Sequence, residues 1–252
     1  MLFRSYAIAK SNTDIARGSD RWARRNKIYY CADTETADLV AFPNKCDVIG
    51  CGSYDANSKP GITGNHVPVN AGNYGTRFIN VRFNAPADAS PIVTLASSST
   101  GIQFIDCTFL PTATTTIGIQ STASHHLVIK DCTLYGPFVT AAISILAGEA
   151  GATLIENNLI TGSAAVGILT DASTTTSWIS AIRRNLIHAT TICLNEASDL
   201  FLVVDNDFVS LAAVTGYATP AESLVCNAAL SSRNYLTASN VNFAWPIADT
   251  TT

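Results

Sequence analysis

Asp106, Asp131 and Glu156 stand at even intervals of 25 residues. If a repeating fold stacked them, Asp106 and Asp131 would sit about one strand spacing apart, roughly 4.8 Å. Paired carboxylates about 5 Å apart suit a retaining glycoside hydrolase, and a wider pair suits an inverting one. Like charges that close also raise the pKa of one partner, which an acid catalyst needs. The competing explanation is structural. Turns prefer Asp and Asn, and Lys130, Arg183 and Arg184 dilute the acidic charge at neighbouring positions. No catalytic set is assigned on this basis, and the three acids are simply the first to test. His66, His125, His126 and His188 are scattered, although one loop could bring a histidine near Asp131. There is no C-x-x-C pair, nucleotide loop, G-x-S-x-G or H-E-x-x-H. Neither a cofactor nor a metal site is expected.

Stacking would come from a repeat. "FIDCTF" (104–109), "VIKDCTL" (128–134), "LIENNLI" (154–160), "AIRRNLI" (181–187), "LVVDNDF" (202–208) and "SSRNYL" (231–236) are versions of one phrase. Aligned on Val81, Cys107, Cys132, Asn158, Asn185, Asn206 and Asn234, they recur at spacings of 26, 25, 26, 27, 21 and 28. This column is position 0. Two places later come Phe83, Phe109, Leu134, Ile160, Ile187, Phe208 and Leu236. Three places earlier come Phe78, Phe104, Ile129, Ile155, Ile182 and Val203, and a looser, mostly apolar column lies five places earlier. Alternation with period two means strands on both sides. The odd step between −3 and 0 requires a two-residue corner, such as Ile105-Asp106, Lys130-Asp131 or Glu156-Asn157. At position 0 a small residue points inward. An Asn amide there can bond the corner backbone and its copies above and below, and Cys fills the same volume.

Each unit carries a second apolar cluster, such as "AAISILAG" (141–148) or "AVGILTD" (165–171). Two or three short strands then close a coil whose parallel sheets run along its length. A leucine-rich repeat would need leucine-dense strands and a helix on the far side. "PTATTTIG" and "DASTTTSW" do not look like helices. The "IENNLITG" type of phrase, repeated at this period, resembles the right-handed parallel β-helix of pectate-lyase-like proteins and phage tailspikes. The resemblance covers roughly 46–240. "VIGCGS" (48–53) is similar to the first-coil phrase of that superfamily, where the chain enters at a Gly-rich corner. The resemblance implies an all-β, right-handed, single-stranded parallel β-helix solenoid of about seven to eight coils, with a short N-terminal helical cap. It is almost silent on chemistry. The calcium-binding Asp set of the pectate lyases cannot be matched here residue by residue.

An open parallel coil exposes strand edges and needs caps. Residues 1–45 are read as the cap and a lead-in strand, 46–240 as the β-helix, and 241–252 as a C-terminal tail. "SDRWARRNKI" (19–28) can form a short cap helix with Ser19 or Asp20 as N-cap, and the chain reads as strand from Lys27. Phe243, Trp245 and Ile247 lie across the last coil or face a sister subunit. The Gly-, Asn- and Pro-rich segment 54–75 is expected to bulge as a long loop between the first two coils.

The chain is 47% hydrophobic, so disorder is not its overall state. Only 13% of residues are charged, about half the usual share. So lightly charged a surface can bond to neighbours or to sugars without stripping water from many ions. Residues 1–27 hold seven of the fifteen basic residues and two of the nineteen acids. A basic head on an acidic body is either a docking device or a solvated cap. The acidic body excludes a nucleic-acid surface. Most of the seven cysteines read as small apolar fillers, made in a reducing compartment. No run approaches a membrane span and no clean signal-peptide core opens the chain, so membrane insertion is not expected. Tyr54, Tyr74, Tyr135, Trp178 and Tyr217 could stack on sugar rings or pack a subunit seam. The expected function is a non-catalytic structural or host-facing component of a virus or phage particle. It would be a homo-oligomer, and resemblance to phage spikes favours a trimer. Other virion proteins and surface polysaccharide are candidate partners. The expected location is the virion, or the exterior after cell lysis. Two alternatives stay open: a polysaccharide-degrading enzyme of the tailspike or pectate-lyase type, and a glycan-binding adhesion module.

Overall fold

A computed structural model of the chain describes residues 26–30, 45–50, 61–63, 67–69, 74–85, 91–96, 99–111, 115–122, 126–146, 152–170, 180–195, 201–210, 217–218 and 235–238. The strands form three sheets, all parallel. The entering sheet has eight strands, from Asn26–Tyr30 and Cys46–Gly50 through Gln103–Ile105, Val128–Lys130, Leu154–Glu156 and Ser180–Arg183 to Phe201–Val204. The leaving sheet, after the corner, has eight, from Gly61–Thr63 through Thr108–Pro111, Thr133–Tyr135, Leu159–Thr161 and Leu186–Ala189 to Tyr235–Ala238. The return sheet has seven, from Val67–Val69 through Thr115–Thr122, Phe138–Leu146, Val166–Thr170 and Ile192–Asn195 to Tyr217–Ala218. Among the described residues there is no helix. The fold is an all-β parallel solenoid, described strand for strand over about four turns between Gln103 and Asn195.

The register follows the sequence columns. Phe78, Phe104, Ile129, Ile155, Ile182 and Val203 pair in succession along the entering sheet. Phe83, Phe109, Leu134, Ile160, Ile187 and Phe208 do so along the leaving sheet. All twelve are buried. A parallel, in-register stack puts identical columns face to face. Phe78 and Phe104 stack at 5.0 Å and 7°, Phe83 and Phe109 at 4.8 Å and 7°. The two aromatic columns meet edge to face at 5.6 to 6.0 Å, a favoured arrangement of ring quadrupoles.

The two-residue corner lies one place later than its sequence suggested. Ile79, Ile105, Lys130, Glu156 and Arg183 are the last residues of their strands, so the two residues between strands are those at −1 and 0. The residue at −1 is left-handed on the six described coils from Asn80 to Asp205: φ is 51° at Asn80, 53° at Asp106, 56° at Asp131, 55° at Asn157, 57° at Arg184 and 55° at Asp205. Asn and Asp tolerate this region best, while Arg184 bears roughly 1–2 kcal/mol of backbone strain. Gly50, the last residue of its strand, lies against Asn80. A Cβ there would stand 1.7 Å from the Asn80 carbonyl oxygen, so no larger residue fits.

Position 0 is buried on every described coil, at Val81, Cys107, Cys132, Asn158, Asn185 and Asn206. Its side chain serves the preceding coil. The Asn158 Nδ2 donates to the Ile129 carbonyl at 3.0 Å, that of Asn185 to Ile155 at 3.0 Å, and that of Asn206 to Ile182 at 2.9 Å. The same amides accept a backbone N–H from the coil before: Cys132 to Asn158 at 2.9 Å, Asn158 to Asn185 at 3.0 Å, and Asn185 to Asn206 at 3.0 Å. The amides also join to one another at 2.9 Å. Cysteine is more than a filler here. The single S–H of Cys107 is shared between Phe78 O (3.3 Å) and Ile105 O (3.4 Å), and that of Cys132 between Phe104 O (3.5 Å) and Lys130 O (3.2 Å). A thiol thus reaches the same carbonyl as the amide does.

Two expectations change. Segment 54–75 is not one long loop, because Gly61–Thr63 and Val67–Val69 join the leaving and return sheets. Gly and Pro hid these short strands. Pro68 is tolerated because its strand is at the sheet edge. Residues 26–28 of the expected cap helix belong to the strand Asn26–Tyr30, which pairs with Cys46–Gly50. The rest of that helix, and the tail at 241–252, lie outside the described residues.

Substitutions at Asn185 should rank by what they leave bonded. Asn185→Ala strands the buried Asn158 N–H and removes the second donor from Ile155 O, which keeps its ladder bond, and should lose about 2–4 kcal/mol. Asn185→Cys keeps a donor for Ile155 and should lose about 1–3 kcal/mol. Equilibrium urea unfolding measures both, and equal losses would contradict the column's role.

Candidate functional site

The three candidate acids occupy two different surfaces. Asp106 and Asp131 are successive corner residues, tied into the ladder by Asp106 N–H to Lys130 O at 3.0 Å and Asp131 N–H to Glu156 O at 3.1 Å. Asp131 Oδ1 accepts from Asn157 Nδ2, on the next corner, at 2.6 Å. Glu156 ends its strand one residue earlier, and its side chain lies on the outer face of the entering sheet. There it is in register with Lys130 on one side and Arg183 on the other.

Glu156 is only 5% exposed. Its oxygens lie 3.0 Å from Arg183 Nε, 3.5 Å from Lys130 Nζ and 3.5 Å from Arg184. Burial pushes this carboxyl upward, but Arg183 and Lys130 together outweigh it and hold the group below the usual glutamate value. A carboxylate kept ionised by Arg183 and Lys130 has no proton to donate at neutral pH, so Glu156 lacks the property of a general acid. It is well suited to pinning three adjacent coils together.

A second ion pair, missed in the sequence, has the same form. Arg77 grips Asp47 with two bonds, Nε to Oδ1 at 2.8 Å and NH2 to Oδ2 at 2.7 Å. The hydrogen bond to Asp47 raises the Arg77 pKa above its ordinary value. The two residues pair across adjacent strands, 30 residues apart, a spacing the repeat alignment could have tested at its first coil.

The two described histidines, His126 and His188, lie on different coils. His66 and His125 lie outside the described residues. His126 is left-handed, with φ of 55°, and the strand Val128–Lys130 separates it from Asp131. His188 Nδ1 is 3.5 Å from Thr161 Oγ1, and its buried Nε2 has no partner among the described groups. No group of three potential metal ligands occurs among the described residues. Of the aromatics singled out, Tyr74 carries the Lys45 ammonium 5.0 Å from its ring centre, and Tyr135 is 55% exposed. Tyr54 and Trp178 lie outside the described residues, and Tyr217 is placed only as part of a strand.

The surface that sequence reasoning overlooked is the outer face of the leaving sheet. Across four strands it presents Thr108, Leu110, Thr133, Tyr135, Leu159, Thr161, Leu186 and His188, with no Asp, Glu, Lys or Arg among them. Leu159 and Leu186 are in register, 38% and 42% exposed. The signal was in the repeat: these are the +1 and +3 positions that flank the buried +2 column.

Because the folded Glu156 carboxyl lies below its unfolded value, its contribution is full above about pH 4.3, the ordinary glutamate value. It is lost as pH falls through the folded value. Glu156→Gln should lose about 1.5–3 kcal/mol at neutral pH and show a flatter decline in acid. Urea unfolding followed from neutral pH to about pH 3 would show both effects. No protein-family model, curated protein or solved structure matches this chain.

Proposed function

We propose that this chain is a non-catalytic structural or host-facing component of a virus or phage particle. In this reading it is a right-handed parallel β-helix of about seven to eight coils with a short N-terminal helical cap. The observation that carries it is where the polar groups go. The Asn and Cys column bonds the coil's own backbone, and Glu156, the best-placed acid, is held ionised by its neighbours. Such side chains stiffen a rod and leave little for chemistry.

The outer face of the leaving sheet, uncharged across its four strands between Arg82 and Asp207, supports self-assembly. Leu159, Leu186 and Tyr135 give it an apolar centre running along several coils. Copies of the chain can meet there side by side, and resemblance to spikes favours three. The natural setting is the virion, or the medium after lysis. A second reading, a polysaccharide-degrading or glycan-binding module, draws on the successive corner positions of Asp106 and Asp131.

Gel filtration with light scattering should give the mass of several chains, three by preference. The double substitution Leu159→Glu, Leu186→Glu should reduce it to one, with an unchanged β-type circular dichroism spectrum. A single-chain mass for the unaltered protein at all concentrations would end the assembly proposal. Incubation with bacterial and plant polysaccharides should release no reducing ends. Release that disappears in Asp131→Asn would replace this reading with the enzymatic one.

A further inference from the structure

We infer that Cys107 and Cys132 form a redox-sensitive latch in the coil stack, because joining them as a disulfide would remove the thiol donors that the Phe78 and Phe104 carbonyls receive in addition to their ladder N–H groups. This inference does not depend on the function proposed above. The two cysteines occupy position 0 on adjacent coils, each just before the in-register pair Thr108 and Thr133. The Thr133 N–H bonds the Cys107 carbonyl at 2.9 Å, so the backbones are directly stacked. In-register neighbours lie about 4.8 Å apart, within the roughly 4.4–6.8 Å between Cα atoms that a disulfide spans. Both cysteines are free, and each is 1% exposed.

The reduced pair is a working part of the column. Each S–H donates to a carbonyl of the preceding coil, at 3.3 Å for Phe78 and 3.5 Å for Phe104. Burial, and then the neighbouring Cys107 thiol, push the Cys132 thiol well above its ordinary value, so it stays protonated as a donor. The coils at Asn158, Asn185 and Asn206 meet the same need with amides that oxidation does not touch. Redox sensitivity is therefore confined to one stretch of the column. The other described cysteines are engaged elsewhere: Cys46 beside Thr76 at 3.9 Å, and Cys193 against Ile187 O and Val209 O.

The oxidant is a small-molecule disulfide. Both S–H bonds break and one Sγ–Sγ bond forms. The two hydrogens, with their two electrons, pass to the oxidant, which leaves as two thiols. Exchange needs an exposed thiolate, so it proceeds only when these coils open. The intact fold shields the pair. An opened coil that becomes cross-linked cannot restore both carbonyl bonds.

The full-length chain, partly unfolded in urea with oxidised glutathione and then returned to buffer, provides the test. Peptide mass mapping should find a Cys107–Cys132 link. The thermal midpoint should fall by roughly 4 °C or more and recover with dithiothreitol. Cys107→Asn with Cys132→Asn keeps a donor on each coil and cannot cross-link, so the same oxidant should leave its midpoint unchanged. If that variant does not fold, Cys107→Ser with Cys132→Ser takes its place. The inference is overturned by no link between the two, by a link without a fall in midpoint, or by an equal fall in the variant.

Discussion

A strand that turns so sharp a corner leaves one backbone group without a ladder partner, the N–H of position 0. Buried and unbonded, it would cost roughly 1–3 kcal/mol on every coil. An Asn at position 0 removes that penalty from its predecessor by accepting the N–H, and Asn and Cys alike give the carbonyl three places before position 0 a second donor beside its ladder N–H. Most other features follow. The corner must be left-handed for the chain to turn so sharply, the columns must keep register for the amides to reach back, and the apolar side chains then stack like on like.

The same constraint explains how the candidate site came out. Residues flanking such a corner are stacked by the backbone whatever they are. Their proximity therefore says little about chemistry, and their partners decide. Glu156 falls between Lys130 and Arg183 and is held as a carboxylate. Asp131 falls beside Asn157 and accepts its amide. Three acids at equal intervals look like a catalytic row in one dimension. In three they are alternate parts of two stabilising ladders.

Much of the architecture was legible because the period was. The columns at −3, 0 and +2 were readable as buried stripes, and the Asn column could be assigned its bonding from the geometry of an amide alone. What could not be read was anything that depends on a dihedral or a charge partner. Left-handed φ at Arg184 runs against its residue type. The thiol's donor role is invisible when Cys is counted as an apolar filler. Pro68 and Gly61 disguised two short strands. The apolar outer face went unnoticed because Leu159 and Leu186 look like core residues until the alternation assigns them outward.

The amide column also has a direction. Each Asn or Cys reaches back to the coil before it, and Val81, at the head of the described column, has nothing polar to offer. A coil is consequently unfinished until its successor has been laid down. On a nascent chain, wound from its amino end, closure trails one lap behind synthesis, like a ratchet whose every tooth is seated by the next.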